Sequence, residues 1–193
     1  MSHTNVTIFH PAVFVLPGIP GLEAYHIWLS IPLCLIYITA VLGNSILIVV
    51  IVMERNLHVP MYFFLSMLAV MDILLSTTTV PKALAIFWLQ AHNIAFDACV
   101  TQGFFVHMMF VGESAILLAM AFDRFVAIRF PLHYATILTH SVISKIAAAI
   151  LLRSVGAVLP VPFLIKRLPF CHSNVLSHAY CLHQDAMRLA CAD

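Results

Sequence analysis

Charge is what this sequence has least of. Nine Lys and Arg and eight Asp and Glu make up 9% of its 193 residues, where a soluble domain carries roughly a quarter. With 63% hydrophobic residues and a mean hydropathy of +1.04, too little polar surface remains to cover a water-soluble globule. Membrane is the solvent such a chain requires. A net charge of +1 supplies no basic patch for nucleic acid and no field to draw an acidic substrate. Low-complexity tracts and solenoid-like repeats are also missing. The first 20 residues have neither the basic start nor the apolar core of a cleavable signal peptide, and His3, Pro11, Pro17, Gly18 and Pro20 interrupt them. The first apolar span is therefore expected to act as its own insertion signal. No nucleophile and base pair, phosphate loop or metal triad stands out, so enzymatic activity is not expected.

Long apolar runs are what the chain does have. Four are long enough for a bilayer, which takes about 20 residues: 24–53, 59–89, 98–128 and 141–165. Short links join them, so an all-α transmembrane fold with antiparallel sequential neighbours is expected. Residues 1–23 precede the helices and a polar stretch, 166–193, follows them. Lys and Arg do not settle orientation. With the N-terminus outside, Arg55, Arg124, Arg129 and Lys145 lie inside, and Lys82, Lys166, Arg167 and Arg188 lie outside or at that edge. Cysteines and a glycosylation acceptor pattern decide better. Cys99, Cys171, Cys181 and Cys191 all fall on the side of the N-terminus, as does Asn5-Val6-Thr7. Disulfides and glycans belong outside the cytosol, so an extracellular N-terminus and extracellular 1–23 and 166–193 are expected. Cys34, inside the first span, reads as a small apolar filler.

Two strings are more specific than composition. Leu57-His58-Val59-Pro60-Met61-Tyr62-Phe63-Phe64-Leu65 enters the second span. Met120-Ala121-Phe122-Asp123-Arg124-Phe125-Val126-Ala127-Ile128 ends the third, followed by Pro131-Leu132-His133-Tyr134. Both resemble signature strings of odorant receptors, with Phe125 where that family often has Tyr. Gly43-Asn44 resembles the rhodopsin-like pattern of a first helix. Leu168-Pro169-Phe170-Cys171 and the Pro17 to Glu23 segment resemble the fish-like class I branch. The resemblance implies the first four helices of a seven-helix rhodopsin-like receptor plus its second extracellular loop, at the plasma membrane. It implies a small odorant as ligand, with a short carboxylic acid suggested by the class I likeness, and a stimulatory heterotrimeric G protein as partner. It further implies disulfides Cys99–Cys181 and Cys171–Cys191, although four cysteines allow three pairings.

Individual residues carry the chemistry. By resemblance Arg124 meets the G protein and Asp123 restrains it, a role that suits a side chain that stays charged and offers five donors. Asp72 and Glu113 each lie about 20 Å into the membrane at roughly 1.5 Å per residue. Carboxylates there need a proton, a partner or a cation, so the two are expected to share a proton or Na⁺, with Asn44 and Ser114 as further oxygens. Arg153, mid-span, needs a partner, for which Glu113 is one candidate. On the outer half of the third span Gly103, Val106, His107, Phe110, Val111 and Ser114 recur at helical spacing. His107, Phe110 and Val111 are expected to line an apolar ligand pocket, with Gln184 reaching over it from the loop. His172, His178 and His183 lie near cysteines, but not at zinc spacing, so no metal and no other cofactor is expected. Two rival readings remain at this stage. One is a truncated receptor piece that does not signal, suggested by the end at Asp193. The other is an ion-coupled transporter or channel piece using Asp72, Glu113 and Arg153.

Overall fold

A computed structural model describes residues 12–19, 21–22, 25–170 and 174–190. Four helices long and apolar enough to cross a membrane dominate it. Helix α1 spans His26–Met53, α2 Pro60–Leu89 and α3 Phe96–Arg129. The fourth span, His140–Arg167, is built from α5 (His140–Val158) and α6 (Pro160–Arg167), after a short α4 (Tyr134–Ile137) in the preceding connector. Pro160 has no N–H to continue the helix, which explains the break at Leu159. Pro32 and Pro81 sit within α1 and α2, as spanning helices tolerate better than soluble ones.

The helices are apolar all round, as lipid requires. Burial differs sharply between them. Only 6% of the α1 window is buried, against 28% of the α3 window, so α3 is the most buried of the four and α1 the least. Large side chains such as Trp28, Ile36 and Leu118 remain exposed to what would be hydrocarbon.

Two departures from the sequence reading are small elements. Residues 1–23 and the second connector each supply a strand: β1 (Val13–Val15) pairs antiparallel with β2 (Asn93–Ala95), with Phe14 opposite Ile94. The polar stretch after the fourth span contains a short helix, α7 (His183–Arg188).

The chain divides into two compact units. One gathers the described residues of Met1–Cys34, Thr78–Val106 and Val158–Asp193. Its core holds Phe14, Leu16, Ile86, Val100, Phe170 and Cys181. Here β1 is paired on both edges, because Val15 donates to the Asn174 carbonyl at 2.8 Å and accepts from Leu176 N at 2.9 Å. Phe14 packs edge-on against Phe170, their centroids 5.9 Å apart. Lys82 reaches back from α2 to donate to the carbonyls of Ala91 at 2.8 Å and Asn93 at 2.9 Å. That closes the turn in which Gln90 adopts φ 51°, a left-handed residue just past a helix end. The other unit gathers Leu35–Thr77 and His107–Ala157 around Phe64, Met71, Met109, Ile116 and Ile150. Gly112 sets the helix spacing there. A Cβ at this position would stand 3.3 Å from Met71 Cε and 3.4 Å from Ser154 Oγ.

Candidate functional site

The strongest polar constellation lies near the C-terminal end of α3. Asp123 is fully buried, and an ionised carboxylate in such a place needs hydrogen bonds. Tyr134, in the connector after α3, supplies one. Its hydroxyl donates to Asp123 Oδ1 at 2.7 Å. Burial, followed by that bond, pushes the Tyr134 hydroxyl from an ordinary 10.0 up to about 12, so it remains a donor throughout the physiological range. Asp123 Oδ2 makes no hydrogen bond and lies 3.7 Å from Arg124 Nε. The Arg124 side chain is 53% exposed. The carboxylate is thus held from the connector, while the adjacent guanidinium keeps its donors available to a partner. Asp123 and Arg124 are legible in the sequence, but the role of Tyr134 is not, because nothing in spacing shows which way a connector tyrosine turns.

Asp72 on α2 and Glu113 on α3 fall in the same unit, and Glu113 lies within electrostatic reach of Asp72. Glu113 Oε1 is buried without a hydrogen-bond partner. Asn44 spends its amide on its own helix, donating to the Ala40 carbonyl at 2.9 Å. Ser114 does likewise with Phe110 at 2.9 Å. Arg153 is exposed on α5, and among the described ion pairs none joins it to Glu113. Neighbouring Ser154 faces inward, and Arg153 beside it does not.

Along α3, His107 and Phe110 touch edge-on with centroids 6.5 Å apart. His107 and Val111 are half-buried and Phe110 is exposed. Gln184 is exposed on α7. Cys99 and Cys181 are bonded, S–S 2.07 Å. A residue the sequence reading missed sits beside that bond. Gln102 is buried, donates to the Thr78 carbonyl of α2 at 2.8 Å and accepts from Cys181 N at 3.2 Å. One amide thereby links α2, α3 and the loop. Gly103 lets the loop approach, since a Cβ there would stand 3.4 Å from the Cys181 carbonyl. A lone glutamine in an apolar helix carries no motif, so only geometry reveals it. Asn5, Cys171, Cys191 and His172 lie outside the described residues. Among those described, no group of three His, Cys, Asp or Glu is placed to hold a metal ion.

Comparison with known proteins places these features in context. A sequence model described as "Olfactory receptor" matches residues 33–193. Human olfactory receptor 52B2 is 83% identical over 193 residues, covering 100% of this chain and 60% of that protein. Human olfactory receptor 51G2 is 56% identical over 182 residues, covering 94% of this chain and 58% of its own length. Human olfactory receptor 51H1 is 54% identical and covers all of the chain and 64% of itself. The chain thus spans about 60% of the length of these relatives.

Proposed function

The chain belongs to the olfactory receptor family, and on that premise we propose that it forms the first four helices and second extracellular loop of an odorant receptor. That family consists of G-protein-coupled receptors, which are multi-pass plasma-membrane proteins and not enzymes, and its members generally carry no cofactor. The proposed orientation puts residues 1–23 and 166–193 outside, with Asn5 available for glycosylation and Cys171 bonded to Cys191. The ligand is a small odorant, a short carboxylic acid being favoured, with His107, Phe110 and Val111 of α3 and Gln184 of the loop as the residues assigned to it. Ligand binding favours a state in which Arg124 engages a stimulatory G protein.

The observation that supports this best is the asymmetry at Asp123. Tyr134 holds Oδ1 of the buried carboxylate, so Asp123 keeps one hydrogen bond when Arg124 moves away from Oδ2. A group that must change partner during signalling benefits from that arrangement. The Asp72 and Glu113 pair is assigned a shared proton or Na⁺, supported by the orphaned Glu113 Oε1 and by the cost of a bare carboxylate in lipid. Asn44 Oδ1 remains able to join it.

A cyclic-AMP assay on the full-length receptor tests the coupling role. Arg124→Ala is expected to abolish the odorant-evoked rise at undiminished surface expression, and His107→Ala to shift the dose response to higher concentration. An unchanged maximal response in Arg124→Ala would overturn the assignment.

A further inference from the structure

A cavity of about 880 Å³ lies in the unit without the disulfide, where the end of α1, the start of α2, the connector after α3 and the start of α5 meet. Val52, Phe63, Leu138 and Ile143 give it apolar walls, and His58 and His140 add imidazoles. Both connectors that shape it lie wholly within the described residues. Spacing shows which side of α2 it occupies. Phe63 and Asp72 are nine residues apart (72 − 63) on that helix, roughly two and a half turns, so they point to opposite sides. A carboxylate deep in the membrane faces the bundle interior. The wall that Phe63 supplies therefore faces lipid, not the side that further helices of a receptor would cover.

The charge around this cavity has one sign. Among the described residues that line it there is no carboxylate. Arg55 stands two positions before the lining residue Leu57, Lys145 directly follows the lining residue Ser144, and both are exposed. Glu54, beside Arg55, already accepts a hydrogen bond from Asn56 at 2.9 Å. The starts of α2 and α5, at Pro60 and His140, add the positive ends of two helices. An apolar slot open to lipid and rimmed by cations matches a molecule with an acyl chain at one end and an anion at the other. In the orientation proposed above, this end meets the cytoplasmic leaflet, where anionic lipids are found. The leaflet rests on that reading, but the binding does not.

We propose that this cavity binds an anionic phospholipid of the phosphatidylserine class, with an acyl chain between Phe63 and Ile143 and the headgroup held by Arg55 and Lys145. Tyr134 forms part of the wall, so the lipid lies beside the group that holds the Asp123 carboxylate.

The test places the chain in phosphatidylcholine nanodiscs containing spin-labelled phosphatidylserine or, separately, phosphatidylcholine labelled at the same acyl position. Broadening is read at the methyls of Leu138 and Ile143, with Leu152, exposed on α5 and outside the cavity, as reference. Both faces of a nanodisc carry the same lipid, so the result is independent of orientation. Labelled phosphatidylserine is expected to broaden the cavity methyls at about a tenth of the phosphatidylcholine concentration, as cations near a membrane surface supply, while Leu152 responds equally to both. Raised salt, or Arg55→Gln with Lys145→Gln, is expected to remove the preference and leave a weak response to both lipids. Equal responses in the unaltered chain, a preference that survives the double variant, or the same preference at Leu152 each overturn the proposal. Displacement of labelled phosphatidylserine by an equal mole fraction of cholesterol also overturns it, by assigning the cavity to a sterol. Ser144→Phe is expected to fill the cavity and abolish broadening of Leu138 by both lipids, and broadening that persists there overturns the site. Should that variant lose its helical circular dichroism, unlabelled phosphatidylserine is titrated against the labelled lipid in the unaltered chain, where failure to compete overturns the site.

Discussion

The two units of this chain are held together by different means. In the unit containing the disulfide, side-chain hydrogen bonds join segments far apart in sequence. Trp88 donates to Ser30, Gln102 joins Thr78 to Cys181, and Asn174 donates to the Val13 carbonyl. A covalent bond between Cys99 and Cys181 is added to them. In the other unit most polar side chains bond within their own helix. Ser66, Ser76, Ser144 and Ser154 each donate to a carbonyl three or four residues earlier. Tyr37 and Thr77 share a hydrogen bond between α1 and α2 at 3.3 Å and Tyr134 holds Asp123, but most of the described packing there is contact between methionines, a glycine and aliphatic chains. Directional bonds fix a register, whereas dispersion contacts tolerate sliding. The first unit is therefore the more firmly registered within itself, and the second, which carries Arg124, has the more yielding interior.

Several substitutions sharpen or break that contrast. The largest effect is expected from Cys181→Ser, which opens a loop with a sequence separation of 82; about 2–5 kcal/mol should be lost. Thermal unfolding in detergent, with and without reductant, checks it, since reductant should lower the unaltered chain to the level of the variant. Next comes Gly112→Leu in the other unit. Its side chain must displace Met71 and Ser154, costing about 1–3 kcal/mol by overpacking. If sliding is available, the loss falls at the low end and the Met71 methyl resonance broadens. A rigid unit would give the full loss with sharp signals. The smallest effect concerns Tyr134. Its raised value means the neutral hydroxyl is favoured in the fold, so the stabilisation it adds is fully present below pH 10 and disappears as pH rises toward about 12. Phenolate absorbance should show one tyrosine titrating last, and Tyr134→Phe should remove that late component.

Much of this architecture is legible in the sequence, for a simple reason. Spanning helices must satisfy their backbone internally and be apolar over a fixed length, so uninterrupted runs locate them. The signature strings around His58 and Asp123 identify the family. The strands were illegible because three residues show no alternation, and Val13 meets Ala95 across two complete spans. Partnerships also escaped. Gln102 and Cys181 lie far apart in the chain, and His178 and Asp185, which share a hydrogen bond, are seven residues apart in a loop of no fixed period. The exposure of Arg153 beside a buried Ser154 on α5 is equally invisible in the sequence. Rotation about a helix axis is the quantity that a hydropathy run in lipid does not encode, because every face is apolar.

Strand β1 carries a consequence for biosynthesis. It is made early, yet its partner β2 begins 78 residues after Val15 (93 − 15), and Val175 on its other edge comes 160 residues after it (175 − 15). At about 5–20 residues per second, Val15 waits roughly 4–16 s for its first neighbour and roughly 8–32 s for its second. Throughout that interval an apolar strand with open edges stands exposed to other nascent chains. The exposure of this strand is thus set by the clock of translation, and slowing the ribosome is expected to lower the folded yield.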